Sequence, residues 1–127
     1  MKEVVRTDTA PAPFQGAPYS QAIKANGFVF VAGQVGIEPD NPEPVGDGIR
    51  AQTEQTLMNL RAILEAAGSG MDKLVKTTVF LTDLDDFQGM NEVYARHVGD
   101  QPPARSTLQV AKLPPGLLVE IEAIALQ

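Results

Sequence analysis

The fold is decided by two stretches in the last quarter of the chain, Pro102-Pro103-Ala104-Arg105-Ser106-Thr107 and Val119-Glu120-Ile121-Glu122-Ala123-Ile124. The first opens a strand over residues 105–110, whose side chains alternate between two sides. One side carries Arg105, Thr107 and Gln109, and the other carries Ser106, Leu108 and Val110. A turn is predicted at Leu113-Pro114-Pro115-Gly116, because prolines and glycine disfavour ladder positions. The chain then continues as an apolar strand over residues 117–126.

Charged side chains in these strands need partners wherever they are buried. Period-2 geometry places Glu120 and Glu122 on the same side of their strand, about 7 Å apart. The guanidinium of Arg105 can bind a carboxylate through two parallel hydrogen bonds. Two interpretations therefore stay open for Arg105: an internal salt bridge to one of these glutamates, or the binding of a small carboxylate ligand beside a water molecule.

The first 31 residues are predicted to contain a strand, a loop and a hairpin. Residues 1–8 form a short edge strand, and residues 9–18 form a loop interrupted by three prolines and a glycine. Residues 20–24 and 28–31 form the hairpin, because Asn26-Gly27 suits a type I′ turn.

The residues after this turn carry further predictions. The apolar run Phe28-Val29-Phe30-Val31 is typical of a strand that is buried on both faces. Gly33, in Ala32-Gly33-Gln34, has two interpretations. It marks a bulge or turn, or it leaves the backbone open to close contact with a ligand. Residues 38–46 are predicted to be a loop.

Two helices and a strand follow. Asp47 is a good N-cap for the first helix, and Gly68 ends it. The apolar stripe of this helix is Ile49, Thr53, Leu57, Leu60, Leu64 and Ala67. A strand rich in β-branched residues is predicted over residues 74–82.

The second helix is predicted over residues 84–98, with Asp83 as its cap. Its inner stripe is Leu84, Phe87, Met90 or Asn91, and Tyr94. The complete order is β-β-β-α-β-α-β-β. This order indicates an α+β fold, in which two helices cover one side of a mixed sheet of about six strands.

Composition bounds the function. The 127 residues predict one domain over residues 1–127, with a modest core that oligomerisation could enlarge. A net charge of −6 without basic runs argues against nucleic acid as a partner. There is no cysteine, no apolar run of membrane-spanning length and no signal-peptide core near Met1, so we expect a cytoplasmic protein without a membrane partner.

The single histidine, His97, argues against metal and triad chemistry. No H-x-x-H or H-x-x-E spacing surrounds it, and no Gly-x-Ser-x-Gly elbow accompanies any serine. We therefore expect no metal site. His97 lies near the end of the second helix, where a C-terminal cap or a half-buried packing role is expected.

Several motifs together resemble the RidA/YjgF family. They are Pro103-Ala104-Arg105-Ser106, Val119-Glu120-Ile121-Glu122-Ala123-Ile124-Ala125, Val75-Lys76-Thr77-Thr78-Val79-Phe80-Leu81 and Asp83-Leu84 with Asp86-Phe87. The resemblance extends from Pro18-Tyr19-Ser20-Gln21 to the C-terminus. It implies hydrolysis of 2-imino acids, such as 2-iminopropanoate and 2-iminobutanoate, or of their enamines, to 2-oxo acids and ammonia. It also implies a chorismate-mutase-like homotrimer with pockets in the clefts between subunits, and no cofactor.

The resemblance also implies roles for individual residues. Arg105 would hold the substrate carboxylate, and Glu120 would activate water, helped by the raised pKa that an apolar strand gives a carboxyl group. Substrate-binding positions that match the family are Tyr19, Ala32, Gly33, Phe87, Asn91 and Thr107. Each of Tyr19, Phe87 and Asn91 could equally be a packing residue.

Two of these positions depart from the family pattern. Ala32 stands where relatives carry serine before Gly-Gln, and Thr107 stands where many carry cysteine. Substrate preference is therefore open. Two alternative functions also remain open: a non-catalytic trimer that binds small metabolites, and an endoribonuclease, the activity for which the family was first named.

Overall fold

A computed structural model describes residues 1–46 and 48–127. The strands in this part of the chain are β1 (Glu3–Val5), β2 (Ala22–Ala25), β3 (Phe28–Val35), β4 (Ile37–Glu38), β5 (Asn41–Pro44), β6 (Leu74–Leu81), β7 (Ala104–Gln109) and β8 (Val119–Leu126). The α-helices are α1 (Ile49–Ala66) and α2 (Phe87–Val98), and short 3₁₀ turns lie at Phe14–Gly16, Met71–Lys73 and Leu84–Asp86.

The main sheet has the strand order β1-β2-β3-β8-β6-β7. Its pairs are antiparallel except for β6 and β7, which are parallel. Because β7 lies at one edge, it has a single neighbour, and β8 occupies the centre between β3 and β6. The predicted α+β class and the mixed sheet are confirmed.

The hairpin between β2 and β3 forms as the sequence indicates. Asn26 and Gly27 have φ values of 54° and 83°. These positive values are what a type I′ turn requires at its two central positions. The register that follows pairs Ala25 with Phe28 and Ala22 with Val31.

The prediction of a loop over residues 38–46 is wrong for part of that segment. β4 and β5 form a separate two-stranded hairpin in which Ile37 pairs with Pro44. A buried side chain on α1 holds this hairpin, since Asn59 Nδ2 donates to the carbonyls of Val35 and Ile37 at 3.0 and 2.8 Å. The tertiary contact outweighs the local turn preference of the prolines.

The first helix is confirmed, with the predicted stripe buried along its length. Gly68 ends it with φ 81°, and the N–H groups of Gly68 and Ser69 donate to the carbonyls of Glu65 and Leu64. This is a Schellman arrangement. The helix begins at Ile49. The predicted N-cap, Asp47, lies outside the described residues.

The predicted start of the second helix is right in part. Asp83 Oδ1 accepts from the Asp85 N–H at 2.9 Å and so caps the 3₁₀ turn Leu84–Asp86, whereas α2 itself begins at Phe87 without a side-chain cap. The predicted inner stripe is wrong in part, because Leu84 and Phe87 are 46% and 42% exposed. The buried face is instead Gly89, Met90, Val93 and Tyr94. A Cβ atom on Gly89 would lie 2.7 Å from Ile49 Cγ2, so the missing side chain lets α2 pack closely on α1 and sets this face inward.

The two faces of the main sheet differ. α1 and α2 cover one of them, the helix face, whose side chains include Val29, Val79, Ile121 and Ala123, all at most 4% exposed. The outer face carries the alternate residues, which are Phe30, Phe80, Leu108, Glu120, Glu122, Ile124 and Leu126.

The prediction that Phe28–Val31 is buried on both faces is therefore wrong for a single chain. Val29 and Val31 are buried on the helix face, whereas Phe30 is 44% exposed on the outer face. Both helices lie on one side of the sheet, and Phe30, Leu108 and Leu126 on the other side are more than 40% exposed. Among the described residues, no helix has the length and apolar character that crossing a membrane requires.

Candidate active site

Arg105 lies on the edge strand β7, level with Thr77 of β6. Its guanidinium carbon is 4.7 Å from the ring centroid of Tyr94 and 5.5 Å from that of Phe87, both on α2. Within residues 1–46 and 48–127 it forms no ion pair with Glu120 or Glu122. The internal salt bridge is thus not formed, and cation–π contacts order the side chain instead.

A cavity of ≈ 410 Å³ adjoins Arg105, between the second half of α2 and the segment that leads into β7. Asn91 and Tyr94 line it together with Arg105, and apolar walls come from Val98 and Pro102 among others. Thr107, two residues beyond Arg105, lies on the same side of β7.

Two buried polar atoms in this region lack hydrogen bonds. Asn91 Oδ1 and Thr107 Oγ1 have no partner among the described residues. A buried oxygen without a partner costs about 1–3 kcal/mol, which a ligand or a water molecule can recover. Asn91 is the one of these two residues that lines the cavity beside Arg105.

Glu120 lies on β8, between Val35 of β3 and Phe80 of β6. Its side chain is half-buried, and burial of the carboxyl group, followed by the charge of Glu122, raises the pKa of Glu120 above its ordinary value. Glu122, two residues on, is exposed on the same face. A carboxyl group with a raised pKa is suited to accept and return a proton.

Gly33 makes room for this carboxylate. The β3–β8 register shifts between Val31 and Gln34, which confirms the bulge interpretation of Gly33. A Cβ atom on Gly33 would overlap the Glu120 carboxylate and lie 2.8 Å from its Cδ. The glycine is thus required by the position of a side chain of the candidate site, a cause that the sequence did not suggest.

Tyr19 and Ala32 lie beside Gly33. The hydroxyl of Tyr19 accepts from the N–H of Phe14 at 2.7 Å, and Tyr19 and Gly33 line the same small cavity of ≈ 30 Å³. The Ala32 N–H donates to the Gln21 carbonyl at 2.9 Å, which fixes the backbone at the start of the bulge.

The predicted site residues thus fall into two groups. The arginine group consists of Phe87, Asn91, Arg105 and Thr107, and the glutamate group consists of Tyr19, Ala32, Gly33 and Glu120.

The two groups lie on opposite faces of the sheet. Thr77 joins Arg105 in register to Ala123, which is three residues from Glu120 along β8. An odd separation places two side chains on opposite faces of a strand. Arg105 therefore points to the helix face and Glu120 to the outer face, and a single chain does not bring them together.

Tyr94 contacts Arg105 and lines the cavity, but the sequence did not indicate it as a site residue. It was predicted only as part of the inner stripe of α2, and it is 5% exposed. The available signal was helical spacing, since Phe87, Asn91 and Tyr94 follow at intervals of four and three residues and so share one face.

His97 lies away from both groups. Its Nε2 is 2.9 Å from Glu54 Oε1, and its Nδ1 is 3.5 Å from Arg61 Nη2, both on α1. The side chain is 10% exposed. It therefore links the two helices as a largely buried packing residue, which agrees with the packing role expected from the sequence and not with the C-terminal cap.

The fold is thus an α+β sheet that two helices cover on one side, with an arginine and a glutamate on its opposite faces. The family model described as Endoribonuclease L-PSP matches residues 7–127 of this chain. The chain belongs to this family, which is the RidA/YjgF family.

Individual relatives agree with this assignment. The chain is 52% identical over 125 residues to a RutC family protein of Pyrococcus horikoshii, covering 98% of each chain. It is 43% identical over 127 residues to the mouse protein named 2-iminobutanoate/2-iminopropanoate deaminase, covering 100% of this chain and 93% of the mouse protein. The crystal structure of RidA from a Psychrobacter species superposes with a TM-score of 0.92 at 43% identity, covering 98% of this chain and 99% of that one.

Proposed function

We propose that this protein hydrolyses 2-imino acids and their enamine tautomers, among them 2-iminopropanoate and 2-iminobutanoate, to 2-oxo acids and ammonia. The observation that carries the proposal is Arg105, a guanidinium stacked on two rings beside a cavity and unpaired with the glutamates of the described chain. Such a group is suited to a planar carboxylate ligand. The mouse relative at 43% identity carries the name of this activity.

The proposed active site lies between subunits of a homotrimer. Two observations support it: the arginine and glutamate groups lie on opposite faces of one sheet, and the outer face leaves Phe30, Leu108 and Leu126 more than 40% exposed. Exposed apolar surface of this kind favours association. In the proposed assembly, the arginine group of one subunit faces the glutamate group of the next.

The proposed reaction begins with the substrate carboxylate bound by Arg105 through two parallel hydrogen bonds. The bulge at Gly33 provides backbone against the planar imine, and the Glu120 carboxylate takes a proton from a water molecule. The water oxygen adds to the imine carbon, and Glu120 passes the proton on to the nitrogen, which gives a neutral carbinolamine and leaves Glu120 as a carboxylate again.

The second half of the reaction releases ammonia. The Glu120 carboxylate takes the proton of the carbinolamine hydroxyl and delivers it to the nitrogen. The C=O bond of the 2-oxo acid forms as the C–N bond breaks, and its electron pair leaves on nitrogen as ammonia. Because imines also hydrolyse unaided, positioning and electrostatic stabilisation are sufficient here, and no step requires a metal or a cofactor.

The test is the release of 2-oxo acid and ammonia from an imine that an amino-acid oxidase generates in situ. Arg105→Lys keeps the charge but cannot form two parallel hydrogen bonds with the substrate carboxylate, so kcat/KM should fall steeply. Glu120→Gln keeps the shape but cannot accept a proton, so kcat should fall by about 10²-fold or more.

Both variants must remain folded and assembled for this comparison. Parental rates from Glu120→Gln would mean that backbone or another residue orients the water. If Arg105→Ala also keeps its activity, the proposed site is wrong. If the parent binds 2-oxobutanoate but releases no product, the protein is a non-catalytic binder.

A further inference from the structure

A buried hydroxyl pair joins the two residues that flank Arg105, Thr77 on the neighbouring strand and Tyr94 on α2. Thr77 Oγ1 and Tyr94 Oη are 2.6 Å apart, and Thr77 and Tyr94 are 0% and 5% exposed. Thr77 is also the β6 residue that pairs with Arg105 in register. The strand that flanks Arg105 and the ring on which it stacks are therefore joined by one hydrogen bond.

The two rings that contact Arg105 are not equivalent. Tyr94 is the nearer, at 4.7 Å against 5.5 Å for Phe87, and Phe87 is 42% exposed at the start of its helix. A largely buried ring whose hydroxyl is hydrogen-bonded keeps one orientation, whereas an exposed ring can rotate. Tyr94 is thus the fixed surface against which the guanidinium plane is set.

The orientation of that plane matters for ligand binding. An arginine side chain has four rotatable bonds before its planar group, and a two-point contact with a carboxylate needs one plane and one direction. Since the described chain offers Arg105 no carboxylate partner, stacking is what limits its conformations.

We propose that Tyr94, anchored by Thr77, is a positioning residue that orients the Arg105 guanidinium for the substrate carboxylate. The hydroxyl of Tyr94 is engaged with Thr77, and its ring contacts the guanidinium of Arg105, so the proposed role of Tyr94 is exerted through Arg105. This proposal rests on the proposed function for its substrate. The geometry that it concerns can be measured without any substrate.

The competing interpretation is that Tyr94 only fills the core. Tyr94→Leu removes the ring, and Val93→Ala provides a matched control, because Val93 is a fully buried residue of the same helix. If Tyr94 only packs, both variants lower the folded fraction and leave KM unchanged. If Tyr94 positions Arg105, Tyr94→Leu alone raises KM for the imino acid, by roughly tenfold for the loss of a buried cation–π contact.

Tyr94→Phe separates the ring from its anchor. It keeps the stacking surface but leaves the Thr77 hydroxyl unpaired, so the KM increase should be smaller than in Tyr94→Leu. Adding Thr77→Val removes the unpaired hydroxyl and should recover the folded fraction without restoring KM. Recovery of KM in the double variant would contradict the anchoring step.

A spectroscopic measurement keeps the proposal independent of turnover. The Nε–H resonance of Arg105 should show a ring-current shift in the parent. Val93→Ala should keep this shift, and Tyr94→Leu should reduce it to the contribution of the more distant Phe87 ring. Titration with 2-oxobutanoate should then give a dissociation constant roughly tenfold higher for Tyr94→Leu.

The outcomes separate the two proposals. A parent that releases no product from any imine, yet binds 2-oxobutanoate about tenfold more tightly than Tyr94→Leu, contradicts the proposed function and supports the positioning role. A folded Tyr94→Leu variant with parental KM and parental binding overturns the positioning role while the activity stands. A parent that binds no 2-oxobutanoate overturns both.

Discussion

Substituting Gly33 by alanine should remove most of the activity while it leaves the fold intact. The added Cβ atom would overlap the Glu120 carboxylate and lie 2.8 and 3.0 Å from Cδ and Cγ of that side chain. Contacts this short are not tolerated, so the distal part of Glu120 must rotate away from the bulge. The substitution therefore displaces the proposed base without changing its chemistry.

The expected magnitudes of the two effects differ. A glutamate forced about 30° from its rotamer costs roughly 0.5–1.5 kcal/mol, which lowers the Tm of a chain of this size by less than about 8 °C. Loss of general-base catalysis lowers kcat by about 10²-fold, which corresponds to roughly 2.7 kcal/mol of activation free energy. Activity should thus fall far more than stability.

The assay is the rate of 2-oxo acid release at saturating imine, with thermal unfolding measured on the same preparations. Gly48→Ala is the matched control, because a Cβ atom there meets nothing within 4 Å and φ is −123°. That variant should keep parental kcat. Parental kcat in folded Gly33→Ala would refute the reasoning, since Glu120 would then have been moved without consequence.

Three further predictions concern pH, assembly and nucleic acid. The base acts as a carboxylate, so kcat should fall as the pH drops through the raised pKa of Glu120, with a midpoint above the ordinary 4.5 of a glutamate. If Glu120→Gln keeps the parental pH profile, another group causes the loss of activity at low pH. The protein should scatter light as a trimer at micromolar concentration, and Phe30→Glu, which puts a charge on the outer face, should dissociate it; a stable parental monomer would end the account of assembly. With a net charge of −6, binding of labelled RNA at physiological salt should be negligible by fluorescence anisotropy; salt-resistant cleavage that Arg105→Ala abolishes would instead favour a ribonuclease.

Much of the fold is readable from local patterns. The Asn26-Gly27 turn, the buried stripe of α1 and the alternation along β8 each depend on a few neighbouring residues, and each appears in the structure as the sequence indicates. The hairpin of residues 37–44 was not readable in this way, because Asn59, 22 residues after Ile37, holds it from α1. The buried face of α2 likewise depends on the close approach of Gly89 to Ile49, which no periodicity contains.

The candidate site, like the fold, could be predicted only in part from the sequence. Arg105 and Glu120 could each be singled out from their own strands, as charged groups in otherwise strand-like segments. Their relative placement could not, because it depends on the register of a third strand, in which Thr77 pairs with Arg105 and Phe80 with Glu120. Alternation gives the face of a residue within one strand, and only the pairing of strands relates one face to another.

The most direct test of the central claim is subunit complementation between Arg105→Ala and Glu120→Gln. Each variant alone lacks one half of every site, so each should be inactive. When the two are unfolded together and refolded in equal amounts, random trimers should pair an intact arginine group with an intact glutamate group at about a quarter of the sites, and roughly a quarter of the parental rate of 2-oxo acid release should return. Mixed trimers, verified by native mass spectrometry, that remain as inactive as the separate variants would contradict an active site shared between subunits.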